Sequence, residues 1–138
     1  MKKAMKFSFL TVLLVAIVLA APAQNQPQKK ISYDKIVGKW ALEANAGGGS
    51  YSLILDLKLA AGKLEGGLSE QNGGFTNAQL SNIAFDGQLL KFEVKVPTPP
   101  DGAERLAKSE LKLVDNNLIG TMVVEELGMS ATVTGTKK

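Results

Sequence analysis

From Lys39 to the end, the chain repeats one pattern. Apolar side chains fall at every second position over short stretches, and Gly, Asn, Asp or Pro closes each stretch. A period of two puts one face of a strand against a core and the other in water. The first run is Lys39–Ala44. The second, Tyr51–Leu59, sets Tyr51, Leu53, Leu55, Leu57 and Leu59 on one face. The third, Lys63–Ser69, aligns Leu64, Gly66 and Leu68. The fourth, Thr76–Phe85, changes phase between Leu80 and Ile83, which predicts a β-bulge near Ser81-Asn82. In the fifth, Leu90, Phe92, Val94 and Val96 alternate with Leu89, Lys91, Glu93 and Lys95. The sixth ends at Val114 and aligns Arg105, Ala107, Ser109, Leu111 and Leu113. Its opening, "AERLAKSEL" (103–111), is rich in helix formers, and we read it as a strand. The seventh aligns Leu118, Gly120, Met122 and Val124; the eighth aligns Met129, Ala131, Val133 and Gly135.

Eight such strands in sequence predict an all-β, antiparallel up-and-down meander. An open sheet of that size leaves two edges and one apolar face bare; closure into an eight-stranded barrel removes both problems. The connections give the barrel a direction. Ala61-Gly62, Asp86-Gly87-Gln88 and Asp115-Asn116-Asn117 are tight turns, and Asp-Gly and Asn-Asn tolerate the positive φ that two-residue hairpins need. "NAGGGS", "EQNGG" and "PTPPDG" read as longer loops. In a meander, alternate connections share an end, so the pattern predicts a closed base and an open mouth. Strand one starts at the base and places Trp40 there. Ser32–Val37 reads as one short helical turn able to fold across that opening. "AGKLEG" and "DNNLIG" open strands three and seven alike, a faint internal repeat.

Residues 1–23 read as an export signal. Lys2, Lys3 and Lys6 precede the apolar stretch Phe7–Ala20, and Ala21-Pro22-Ala23 fits a small-x-small cleavage site, leaving Gln24 first. The alternative is an uncleaved anchor, but the apolar run is short of the ~20 residues a membrane span needs. The expected location is therefore periplasmic or secreted, in a bacterium, with no stable membrane anchor after cleavage. Residues 24–30 read as a flexible leader and 31–138 as one β-barrel domain. The signal changes the charge picture. The full chain has 16 basic and 13 acidic residues. Without the three signal lysines the balance is neutral, and Ile31–Thr136 is net acidic. That leaves no basic face for nucleic acid.

Four short pieces resemble the calycin group, the lipocalin-like and avidin-like barrels: "VGKW" (37–40), "GKLEGGL" (62–68), "NNLIGT" (116–121) and "TGTKK" (134–138). In the lipocalin-like pattern the tryptophan plugs the base and a basic residue of the last strand lies over it. The resemblance makes Lys137 that residue, a cation over the Trp40 indole. The chain is shorter than a typical lipocalin and lacks its long helix. A biotin site of the avidin type needs several tryptophans, and this chain has one.

The inventory for chemistry is short. Cysteine and histidine are absent, which excludes Ser-His-Asp and Cys-His nucleophiles and the usual zinc sites. Glu125 and Glu126 are adjacent and so point to opposite faces of a strand. "NAGGGS" lacks the lysine and following helix of a phosphate-binding loop. The expectation is a protein that is not an enzyme, with no catalytic residue, metal or cofactor.

A lumen is the remaining candidate. Gly66, Ala78, Ala107, Gly120 and Ala131 are small residues on the inward phase. They either leave space or fit between leucines in a filled core, and the sequence leaves both readings open. If the lumen is open, Tyr51, Leu53, Leu55, Phe75, Phe92, Met122 and Met129 are its expected ligand-binding wall. Arg105 stands near the mouth, either to clamp the acidic head of a ligand or to pair with Asp101 or Glu104. The expected partner is a small hydrophobic ligand. The alternatives are a protein partner, held by the leader or by "PTPPDG" as in an exported protease inhibitor, and a structural barrel with a filled core.

Overall fold

A computed structural model describes residues 30–138. The stretch expected to be an export signal and nearly all of the expected leader lie outside the described residues. Eight strands form a closed antiparallel barrel in which each pairs with its neighbours in the chain and the last pairs with the first. They are β1 (Gly38–Ala46), β2 (Gly49–Ala60), β3 (Lys63–Glu70), β4 (Ala78–Phe85), β5 (Leu89–Thr98), β6 (Ala103–Val114), β7 (Asn117–Val124) and β8 (Met129–Lys137). A single 3₁₀ turn covers Glu125–Leu127.

The alternating faces are those expected. Leu53, Leu55 and Leu57 of β2, Leu90 to Val96 of β5 at every second residue, and Ala107, Ser109 and Leu111 of β6 are buried, with mostly polar neighbours outside. "AERLAKSEL" is strand despite its helix formers. β6 pairs with β5 from Ala103 to Lys112 and with β7 from Lys108 to Val114. Those ladders and one buried face outweigh helix propensities of a few tenths of a kcal/mol per residue. The bulge is also present: the β4–β5 register shifts between Ser81 and Ala84, where Asn82 takes φ 50°. Asn tolerates that left-handed conformation, and its Nδ2 donates to Glu93 Oε2 at 2.7 Å.

The base is built from tight turns. Ala61-Gly62 and Asp115-Asn116 both hold positive φ at their two central residues, the geometry whose twist matches the flanking strands. In the third turn, Asp86 Oδ1 accepts from the N–H groups of Gln88 and Leu89 at 2.9 and 2.7 Å.

One loop differs from expectation. β1 and β2 pair out to Ala46↔Gly49, so Gly47-Gly48 is a two-residue turn and not a long loop. The glycines fold tightly enough for the ladder to run on. Ser50 and Ser52 then donate across it to the Glu43 carboxylate at 3.1 and 2.6 Å. The other mouth connections, 71–77, 99–102 and 125–128, are longer. β4 starts at Ala78, two residues later than its apolar pattern, because Asn77 takes φ 51° and donates its N–H to Ser69 Oγ. β3 and β4 consequently share only two register pairs, Gly67↔Gln79 and Leu68↔Ala78.

Trp40 closes the base. It is fully buried, and its indole N–H donates to the Ile36 carbonyl at 2.8 Å. The Tyr33–Val37 turn crosses the opening, held by Ile36 and Val37 N–H groups donating to the Tyr33 carbonyl. Its Ile36 side chain is fully buried, and the Tyr33 ring lies 6.2 Å from that of Phe85. Lys137, the register partner of Trp40, sets its Nζ 5.7 Å from the indole centroid. The same ammonium donates to the carbonyls of Asp34 and Lys35 at 3.4 Å. Last strand, plug and turn are therefore tied at one point.

Candidate functional site

The barrel interior divides into two parts. In the base and middle Trp40, Leu55, Leu57, Leu90, Phe92, Leu111 and Leu118 are almost wholly out of water, and a more open hollow of about 460 Å³, half polar in its lining, lies on the β3–β4 side beside Leu64, Leu80, Ile83 and Phe85. Two of the small residues expected to leave space do not. A Cβ on Gly66 would collide with the Asp56 carbonyl, and one on Gly120 with the Glu110 carbonyl. These glycines let neighbouring backbones and leucines approach, which is the filled-core reading.

Towards the mouth the packing opens into a cavity of about 310 Å³. Its wall draws on most of the strands. Ala44 and Ala46 come from β1, Tyr51 and Leu53 from β2, and Ala107 from β6. Met122 and Val124 come from β7, and Met129 and Ala131 from β8. Ala107 and Leu68 are fully buried although they border it, so they form its floor. The volume exists because alanines take inward positions that leucine or phenylalanine hold lower down.

Of the expected wall, Tyr51, Leu53, Phe75, Met122 and Met129 line this space. Phe75 reaches it because the connection after β3 curls back: Glu70 N–H donates to the Phe75 carbonyl, and Gly73 N–H to the Glu70 carbonyl. Leu55 and Phe92 are corrected to the solid core. They sit deeper on their strands, where no space remains.

Arg105 is corrected as well. It does not border the cavity; its guanidinium spans Asp101 with two hydrogen bonds of 2.7 and 2.8 Å, and Nη1 also donates to Thr98 Oγ1 at 2.8 Å. Glu126 lies 3.8 Å from Nε. The ion pair with Asp101 is the rim alternative; Glu104 takes no part in it. The Asp101 carboxyl is held far below the usual carboxylate range, first by Arg105 and then by the Ala103 N–H. Thr98 donates onward to the Ala103 carbonyl at 3.1 Å, and Gly102 N–H donates to the Thr98 carbonyl. Arg105 thus works as a clasp on the 99–102 turn, which forms one lip of the mouth.

Sequence reasoning missed Ala44, Val96, Thr98, Val124 and Glu70 as wall residues. The inward phase marked Val96 and Val124, but not their height in the barrel; Ala44 closed a run given no facing, and Thr98 fell in the stretch read as the "PTPPDG" loop. Glu70 lay beyond the last residue assigned to its strand. The Ser109 hydroxyl, on the inward face two residues from Ala107, is buried without a partner among the described residues.

Among the described residues there is no group of three or more carboxylates, cysteines or histidines placed to hold a metal ion. Nor is any helix there long and apolar enough to cross a membrane. No protein-family model matches the chain, and no curated protein matches it.

Proposed function

We propose that this protein is an exported, calycin-like barrel that binds a small, mostly apolar molecule in the mouth half of its lumen and performs no catalysis. One observation carries the reading: a cavity of about 310 Å³ with apolar walls lies above the fully buried Leu55, Leu90 and Phe92. That volume is at the lower end of the range of roughly 300–1,000 Å³ that small-molecule sites occupy. A barrel needed only as a scaffold gains stability by filling such a space, since each buried methylene contributes about 0.8 kcal/mol. The calycin-like assignment draws support from Trp40 at the closed end beneath the Lys137 cation. Export draws its support from the charged and apolar pattern of residues 1–23.

Native mass spectrometry of the protein purified from its own host tests the proposal, with solvent extraction to identify whatever is released. A bound apolar molecule at one per chain is the expected result. A bare protein that also fails to take up octanol in a calorimetric titration rules the lumen reading out.

A second reading is a protein-binding scaffold that uses the 99–102 turn. Its support is the Arg105–Asp101 clasp, which holds that proline-containing turn in one shape before any partner arrives and so lowers the entropy cost of binding. One stoichiometric protein partner, lost on replacing Pro99 and Pro100, is the result that favours it.

A further inference from the structure

The electrostatics of the mouth specify the polar end of the ligand. Among the cavity-lining residues only Glu70 carries a charge. Its carboxylate folds against Gly74, where an added Cβ would collide with Oε2. Among the described residues it forms no salt bridge and accepts no side-chain hydrogen bond. The surroundings have the same sign. The four mouth connections hold Asp101, Glu125 and Glu126 and no basic residue. Of the cations on the mouth half, Arg105 is engaged by Asp101 and Glu126 and Lys108 by Glu125 at 3.1 Å, while Lys95 is exposed on the outward face of β5 and does not line the cavity. Lysines gather at the other end, with Lys35, Lys39, Lys63, Lys112, Lys137 and Lys138 in or beside the base.

Resting on the lumen reading above, we propose that the ligand is an apolar amine. Its hydrocarbon part fills the cavity, and its protonated nitrogen sits beside the Glu70 carboxylate. An acidic amphiphile would place a carboxylate at a mouth that is net negative and whose arginine is already paired. Clefts of one charge sign raise the local concentration of the opposite ion, so the field also favours entry of cations.

The test is a set of three probes that share a chain and differ at the head: octylamine, octanol and octanoate, titrated by calorimetry at neutral pH and low salt. An alkyl ammonium stays protonated there, like lysine. The expected order is amine, alcohol, acid. Amine binds roughly two- to fivefold tighter than alcohol, the size of one partly solvated ion pair. Glu70→Gln is expected to remove the roughly two- to fivefold gap between amine and alcohol in the same titrations. In the unaltered protein, raising the salt is expected to shrink the amine preference, a readout that does not depend on any variant folding. Octanol binding with no amine preference, or a preference that survives Glu70→Gln, overturns this inference and leaves the lumen reading intact. Failure of all three probes to bind overturns both.

Discussion

Two substitutions to larger side chains, one below the cavity and one inside it, are expected to act in opposite ways. At Gly120 a Cβ would press on the Glu110 carbonyl group, with the carbonyl carbon 2.8 Å and the Leu111 Cα 2.9 Å away. Both obstacles are backbone, held in the β6–β7 ladder, so neither can rotate aside. Overpacking costs about 1–3 kcal/mol, and backbone contact places this case near the top. Gly→Ala also restricts the unfolded chain, which returns about 0.4–1 kcal/mol. The net cost for Gly120→Ala is about 2 kcal/mol, a drop in melting temperature of roughly 10 °C for a domain of this size. Ala131 is half-buried and borders the cavity. Ala131→Leu adds three carbons to apolar space, up to about 2.4 kcal/mol of transfer free energy if fully buried. Partial burial and about 0.5–1 kcal/mol of rotamer entropy reduce this, so the variant is expected to be between neutral and about 1 kcal/mol more stable. It should also abolish octanol uptake. Urea denaturation and calorimetry read both effects. If Ala131→Leu destabilises as much as Gly120→Ala, the mouth half is packed and the division of the barrel is wrong. If it binds octanol unchanged, octanol binds elsewhere.

Trp40→Phe removes the indole N–H and leaves the Ile36 carbonyl buried without its donor; the expected loss is about 1–3 kcal/mol, measured by urea denaturation. Lys137→Met removes the cation over Trp40 and its contacts with the Asp34 and Lys35 carbonyls. A loss of about 0.5–1 kcal/mol is expected, with faster hydrogen exchange at Ile36 and Val37. The folded-state pKa of Asp101 lies below its ordinary value of 3.8. Its stabilising contribution is therefore complete above that ordinary value and is lost as pH falls below it towards the lower folded value. Asp101→Asn is expected to flatten the acid limb of a pH–stability profile and to speed exchange at Gly102 and Ala103; an unchanged acid limb refutes the clasp.

Much of the architecture was legible in the chain because its causes are local. Alternation along β2, β5 and β8 depends only on which side chains follow one another, and it assigned the inward faces. Asp86-Gly87 and Asn116-Asn117 marked base turns through their tolerance of positive φ, which Gly87 and Asn116 adopt. The phase slip between Leu80 and Ile83 announced the bulge before any partner strand was known. Order of strands then placed Trp40 at the base, and the resemblance to the calycin pattern supplied Lys137 as the residue across from it.

What the tertiary structure decided were distances across the barrel, which no local pattern encodes. Gly66 and Ala131 look alike in sequence, both small and both inward. One is closed by the Asp56 carbonyl and the side chains of Leu57 and Leu80, while the other faces open space. Leu53 borders the cavity and Leu55 does not, because height along the barrel axis separates them. Arg105 had two available partners, a ligand or Asp101, and the fold of the 99–102 turn brought the carboxylate within reach. Periodicity selects a face; register and strand stagger set what that face meets, and those exist only once the sheet has closed.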